Sequence, residues 1–410
     1  MNTVRQPATK PGILDGIRVL DFTAVMSGPY CTRLLADLGA EVIKIEPPEG
    51  DLIRLRPPTR DNRSAYFAQL NAGKKSMALD LKKPDAVTLI HELVKQCDVV
   101  VENYRPGVMA RLKFDYETLS QLNPKLVYCS ISGFGQQGSW SGRSAYAPVL
   151  HATCGYDMAN LDYQEGDVER PLKNGIFVAD VLGGSLAFGA IQAALLRAFR
   201  TGKGECVDVS LLDAMLGLLV YECQEAQFPA ERRRPLYRPT RASDGFFIVA
   251  PVSQTNFEAM ARAVGHAEWI TDPRFSTTSQ REHHWSEMMA LLDDWAGTRT
   301  ATACEDILNA AGVPCSRYFT VREAMQLPPV VERGAFEMID DGAGPLRVAN
   351  PAFRFGQSRS HAGTGVPGLG ENGPQLLADL LGYSPQRIAD LYESDTLHGA
   401  RHVGEAAAPK

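Results

Sequence analysis

Short apolar runs alternate with helical stretches through the first 135 residues, and this alternation restricts the fold more than any other feature. RVLDF (18–22), EVIKIE (41–46), MALDL (77–81), DVVVEN (98–103) and LVYCSIS (126–132) read as strands. They are nearly continuous in apolar side chains, as strands covered on both faces must be. Between them lie PYCTRLLADLG and a helix from Pro84 to Gln96. Pro29 suits the first helical position and Gly39 the position just past the helix end. The pattern predicts an α/β fold with a parallel sheet between helical layers. Residues 178–199 then predict a long apolar helix closed by the turn TGKGE, and VDVSLLDAMLGLLVYECQEAQF (207–228) predicts a strand running into another helix.

RRRPLYRPTR (232–241) breaks the pattern with prolines and arginines and reads as a linker. A second unit starts at SDGFFIVAPV and continues with helices near 254–264, 285–296 and 301–311. GVPCSRYFTVREAM returns to extended structure. A glycine-rich loop, SRSHAGTGVPGLGENGP, precedes one amphipathic helix, PQLLADLLGYSPQRIADLYE, and the tail GEAAAPK reads as disordered.

The formal charge of −6 offers no basic field, which argues against a nucleic-acid partner. Eight cysteines without a C-x-x-C pair fit free thiols in a reducing cytosol. The N-terminus MNTVRQPATKPG has no apolar h-region, and no run approaches the roughly 18 apolar residues of a membrane span. A cytoplasmic protein with no membrane partner is expected. The first strand–helix turn, TAVMSGP, lacks the G-x-G-x-x-G of a dinucleotide site, and a Walker A sequence and a G-x-S-x-G elbow are absent. The histidines include no H-x-x-x-H on an expected helix, so no metal site is expected. Three cation-bearing stretches remain: RLRPPTR (54–60), GKKSMALDLKK (73–83) and ENYRPGVMARL (102–112). The last two fall at strand ends, where α/β sheets bind ligands and where Lys and Arg suit phosphates.

NGIFVADVLGG (174–184) places one carboxylate, Asp180, at the mouth of the apolar helix. A charge there is costly unless it is paired, capping or used in chemistry. Asp180 could cap the helix. It could equally be a reactive group beside a helix N-terminus, with Gly183 and Gly184 letting a substrate approach the backbone. The residues alone leave both readings open.

Taken together, LDGIRVLDFTAVMSGPYCTRLLADLGAEVIKIEPP, NAGKKSMALDLK, VVVENYRPGVMARL, ADVLGGSLAFGAIQAALLRAFRTGKGECVDVSLLDA and AGVPCSRYFTVREAM resemble the class III coenzyme A transferases, in order and over residues 13–395. The resemblance implies an open Rossmann-like large domain with a smaller α+β domain, in an interlocked homodimer. The first part of the large domain is placed at 13–228, a linker at 229–241, the small domain at 242–330 and a returning segment at 331–400. It also implies that Asp180 is the nucleophile, that Val25, Met26, Ser27, Leu79, Lys82, Asn103, Tyr104 and Arg111 line the site for coenzyme A (CoA), and that no cofactor is tightly bound. Acyl-CoA and a carboxylic acid are the implied substrates. Gly183 and Gly184 are weaker candidates, through backbone N–H groups that could steady an oxyanion.

The family's racemases instead pair this aspartate with a histidine of a G-H-D motif. Here SGFGQQGSWSGRSAYAPVL puts Tyr146 at that place and Ala147 after it. A phenol with a pKa of about 10 exchanges protons poorly near neutrality, so Tyr146 favours transfer, and His151 is not expected to replace the missing base. Met26, Pro47 and Ser132 stand where formyl-CoA transferase has glutamine, arginine and lysine, and no tetraglycine run occurs between 232 and 260. The acceptor is therefore left open, with Arg143 and the arginines at 232–241 hinting at a small dicarboxylate such as succinate. The alternatives are a racemase using Asp180 as acid/base and a non-catalytic CoA-binding protein.

Overall fold

The structure, a computed structural model, describes residues 10–164, 166, 168–171, 173–229 and 235–399. Most of the N-terminal stretch 1–12, residues 230–234 of the expected linker and the GEAAAPK tail lie outside the described residues. The chain divides into two compact units, Met1–Cys223 with Gly334–Lys410, and Gln224–Arg333.

The first unit is built on a seven-stranded sheet. Its strands are β1 (Arg18–Asp21), β2 (Glu41–Glu46), β3 (Lys75–Leu79), β4 (Val99–Glu102), β5 (Val127–Ser132) and β6 (Glu205–Ser210), with Leu397–His398 at one edge. The edge strand is antiparallel to β3, and β3-β2-β1-β4-β5-β6 follow in parallel. This is the doubly wound order whose chain direction reverses between β1 and β4, opening a crevice at the strands' carboxyl ends. Successive side chains feed opposite cores, as the twofold strand period requires. Val19, Val42, Val99, Val101, Val127 and Cys129 face one helical layer, while Leu20, Ile43, Val100 and Tyr128 face the other.

The first layer holds α1 (Ser27–Asp37), α2 (Ala147–Thr153), α3 (Tyr156–Asp162), α4 (Val178–Thr201) and α5 (Leu211–Leu218). Helix α1 starts at Ser27, so Pro29 is its third residue rather than its first, and Gly39 follows the helix end at φ +106°, a conformation that suits glycine. At 24 residues, α4 is long and apolar enough to cross a membrane by length and composition, which the sequence did not lead us to expect. In this unit it is a core helix, burying Ala179, Gly183, Gly184, Ala187, Ile191, Ala194, Leu195 and Ala198. The amphipathic stretch expected as one helix is two, Gly373–Leu381 and Pro385–Glu393, because Gly382 turns left-handed at φ +67° and Pro385 can only start a helix.

The second unit carries a three-stranded antiparallel sheet, Thr240–Arg241, Phe246–Val249 and Cys315–Arg317, over a core that includes Phe247, Phe257, Trp269, Phe275 and Leu292. Thr240 and Arg241, expected in the linker, are thus paired strand residues. The VREA stretch, expected to be extended, is a helical turn (Val321–Ala324) closed by a Thr320–Glu323 capping box.

Candidate active site

A cleft of about 430 Å3 opens at the switch point of the sheet. The loops after β1, β4 and β5 line it through Ala24–Ser27, Asn103–Pro106 and Ser132–Gly133, and the start of α4 contributes Phe177 and Asp180. Such crevices are where doubly wound sheets hold small ligands.

The β1 loop has an unfavourable backbone. Val25 sits at φ +68°, a left-handed conformation that a β-branched residue adopts only under constraint. The constraint is visible on both sides. The Asn103 side-chain amide accepts the Ala24 N–H and donates to the Ala24 carbonyl, each at 2.9 Å. Asp51 accepts the Val25 N–H at 3.3 Å and pairs with Lys44 at 2.9 Å, and Lys44 Nζ donates to the Thr23 carbonyl at 2.7 Å. Beneath them Asp21 accepts from Lys74, Thr32 and Thr23 in a fully buried network. Burial pulls Lys74 down to about 8 against the pull of Asp21.

This loop delivers Ser27 to Asp180. The Ser27 N–H and hydroxyl face the Asp180 carboxylate and draw its pKa down. Ser27 opens α1, and Asp180 lies in the first turn of α4, so the carboxylate sits where two helix N-termini meet. Both dipoles and the Ser27 donors favour the anion. Burial opposes them and prevails, pushing the carboxyl from 3.8 up to about 6. Asp180 is not the N-cap, a place taken by Phe177; it is the third residue of the helix, and its side chain turns to the cleft. Tyr66, also in the cleft, is pushed up to about 12 by burial and by the Asp180 charge, and so stays a protonated donor.

Of the residues expected in the site, the cleft brings together Val25, Met26, Ser27, Asn103, Tyr104, Tyr146 and Asp180. Leu79 is fully buried in the core, and Lys82 and Arg111 are exposed beyond the ends of β3 and β4; none of the three lines the cleft. Gly183 and Gly184 are also outside it. Their N–H groups lie past the first turn, inside the helical ladder, so they are not oxyanion donors. Instead they are packing glycines: a Cβ on Gly184 would stand 2.5 Å from the Ser27 carbonyl oxygen, and one on Gly183 would stand 2.1 Å from Leu211 Cδ2. The cation-bearing stretches are partly spent on structure, with Lys74 paired to Asp21, Lys75 to Glu41, Arg54 to Glu46 and Arg60 to Asp341.

Two further features of the cleft involve residues that the sequence named without their setting. The Ser132 hydroxyl is buried in the cleft wall without a hydrogen-bond partner. Arg143 lies flat on Trp140, its guanidinium carbon 3.6 Å from the ring centroid, and lines the cleft with no paired carboxylate among the described residues. The first is visible only in three dimensions. The second had a signal in the W-x-x-R spacing of SWSGRS.

The fold and the cleft define an α/β enzyme with an ionisable carboxylate facing a switch-point ligand site. The sequence profile of CoA-transferase family III matches residues 14–373, and the chain belongs to that family. It is 36% identical over 384 residues to an acetyl-CoA:oxalate CoA-transferase of Acetobacter aceti, covering 91% of this chain and 97% of that one. It is 31% identical over 390 residues to the human succinyl-CoA:glutarate CoA-transferase, covering 92% and 88%. A crystal structure of a CAIB/BAIF family protein from Brucella suis superposes with a TM-score of 0.78 at 31% identity, covering 90% of this chain and 100% of that chain. The protein is therefore a class III CoA-transferase, an enzyme that moves CoA between an acyl-CoA and a carboxylic acid.

Proposed function

We propose that Asp180 carries the transfer covalently and that the acceptor is a small dicarboxylate. The observation that supports the nucleophile is the half-buried Asp180 carboxylate at the meeting of two helix N-termini, opening onto the cleft. An Asp180 oxygen attacks the thioester carbonyl of the donor. The C–S bond breaks, leaving an acyl–aspartyl anhydride and a CoA thiolate. The thiolate attacks the aspartyl carbonyl and expels the donor carboxylate, which gives an aspartyl–CoA thioester. The acceptor carboxylate then displaces the thiolate to form a second anhydride. Attack of the thiolate on the acceptor's acyl carbon frees Asp180 and the new acyl-CoA. Each step conserves the activated bond, and dividing one exchange in this way lowers its barrier.

No net proton moves in this sequence, so it needs an ionised carboxylate and no acid/base partner. That suits Tyr146, a phenol 70% exposed at the rim, where a racemase would need an imidazole. The Ser27 and Tyr66 donors are placed to balance charge as it leaves the Asp180 oxygens. The CoA portion is assigned to the β1 and β4 loops, through Val25, Met26, Asn103 and Tyr104, with Lys82 and Arg111 as outlying phosphate partners and no tightly held cofactor.

Two relatives whose names give oxalate and glutarate as the acid support a dicarboxylate acceptor. Arg143, held rigid on Trp140, supplies the cation for its distal carboxylate. The test is exchange from acetyl-CoA and succinyl-CoA to oxalate, succinate, glutarate and acetate, with the new thioester read by mass spectrometry. Dicarboxylates should react with a kcat/KM about tenfold or more above that of acetate, which the reversible steps also admit wherever acetyl-CoA is a donor. R143M should raise the acceptor KM about tenfold or more while leaving the donor KM in place. Equal use of acetate would contradict the acceptor assignment.

The protein is also proposed to act as a cytoplasmic homodimer without a membrane component. Leu186, Leu196 and Phe199 leave α4 50%, 50% and 69% exposed, and Val220 is 72% exposed, an apolar face that a second copy would cover.

A further inference from the structure

We propose that His151 is a positioning residue for the reaction: as a neutral imidazole it caps the helix that carries Asp180. The inference rests on the reading of Asp180 as nucleophile.

The first N–H groups of an α-helix have no partner within it and are usually met by a serine, threonine, aspartate or asparagine at the cap. Helix α4 lacks such a residue. Phe177 occupies the cap and has no side-chain bond to offer. The donors are met otherwise. The Val178 N–H reaches the Ile176 carbonyl at 2.9 Å, and the Val181 N–H closes the first helical bond to Phe177. The Ala179 N–H, directly before Asp180, donates to Nε2 of His151 at 3.2 Å. His151 comes from another element, α2, and is 1% exposed. Its ring lies 5.3 Å from that of Tyr156. The cap is therefore a rigid, buried side chain from a neighbouring helix, and it fixes the turn in which the reacting carboxylate stands.

An imidazole can accept at Nε2 only when that nitrogen is unprotonated, so the cap selects the neutral form with its proton on Nδ1. Protonation would turn Nε2 into a donor facing another donor. The surroundings favour the neutral ring: burial lowers the His151 pKa from 6.5, against Asp157, which raises it. The titratable or charged groups on the packed elements are Tyr156, Asp157 and Asp162 of α3, Asp180, Arg197 and Arg200 of α4, and Asp213 of α5, with Cys154 at the end of α2. Since the His151 pKa is lowered, the cap is intact at neutral pH. It is lost only as pH falls below 6.5 toward the depressed value.

The test uses two replacements in the full-length enzyme. H151Q sets a carbonyl oxygen near the position of Nε2 and keeps the acceptor. H151F keeps a buried ring beside Tyr156 and removes it. H151Q should hold kcat within about threefold, whereas H151F should lose about tenfold or more in kcat with the acyl-CoA KM unchanged. The acid limb of log kcat should also be less steep in H151Q than in wild type, because one of two titrating groups is gone. Full activity in H151F, or an equal loss in both variants, would overturn the proposal. Should H151F fail to fold, an H151Q acid limb identical to that of wild type would overturn it. The nucleophile reading is tested apart from this by D180N, which retains the cap and should abolish transfer.

Discussion

Asp180 stands in a balance that two neighbours can tilt. Its carboxyl, raised to about 6, is ionised at neutral pH only against the resistance of its surroundings. In the folded protein the proton is held more tightly than in the unfolded chain. The carboxyl thus contributes stability below 3.8, and that contribution is lost as pH rises through about 6. D180N should therefore raise Tm at pH 8 and change it little at pH 4, while lowering kcat by more than about 10³-fold. Thermal melts at the two pH values check the first part. Ser132 presents the opposite case, a buried hydroxyl with nothing to bond. Native proteins rarely leave such groups idle, and a ligand oxygen in the cleft is the partner the site lacks. S132A removes no internal hydrogen bond, so it should leave Tm in place and raise a substrate KM several-fold in steady-state kinetics. An unchanged KM for both substrates would leave Ser132 outside the reaction. Neither residue's state was legible in the sequence. Asp180 was legible as a charge out of place, but its partner, Ser27, lies 153 positions away, and only the packing of α1 on α4 joins them.

At the scale of elements, that packing is governed by Gly184. Its missing side chain lets α4 approach the Ser27 carbonyl, and a Cβ there would meet backbone at 2.5 Å, which cannot rotate away. G184A should force α1 outward and cost about 1–3 kcal/mol. It should also slow transfer, because Ser27 moves off Asp180. Denaturant melts and kcat, measured on the same preparation, check both parts; a variant with intact stability and rate would show that the contact is not limiting. The sequence marked the two glycines as important but assigned them to substrate approach, because a glycine pair beside a reactive residue carries that signal as readily as a packing one. Asn103, read as a strand end, and Val25, read as a turn residue, were named for the CoA site, but the clamp of Asn103 on Ala24 and the strain at Val25 were not legible. The strands themselves were legible as short, mostly apolar runs between helical stretches, and β2 was read with its observed ends although it carries Glu41, Lys44 and Glu46. Where one local signal was overruled, as with Gly382 dividing an amphipathic stretch, the break lay inside a continuous apolar pattern that periodicity alone treats as one helix.

Across the whole molecule, the large unit places the cleft and Asp180 at the switch point, and the strand order makes that the natural crevice for a ligand. The motif set along the chain carried the family, since it spans most of the sequence and keeps its order. The phosphate candidates were less legible. Charge in a sequence does not distinguish a lysine that meets a ligand from one, like Lys74, that is buried against an aspartate. The central claim is that Asp180 becomes covalently bound to CoA during turnover. Incubation with a donor acyl-CoA in the absence of acceptor, borohydride reduction and peptide mass spectrometry test it directly. The account predicts reduction of the Asp180 side chain to the alcohol, dependent on acyl-CoA and absent in D180N. Efficient transfer with an unmodified Asp180 peptide under the same trapping conditions would contradict it.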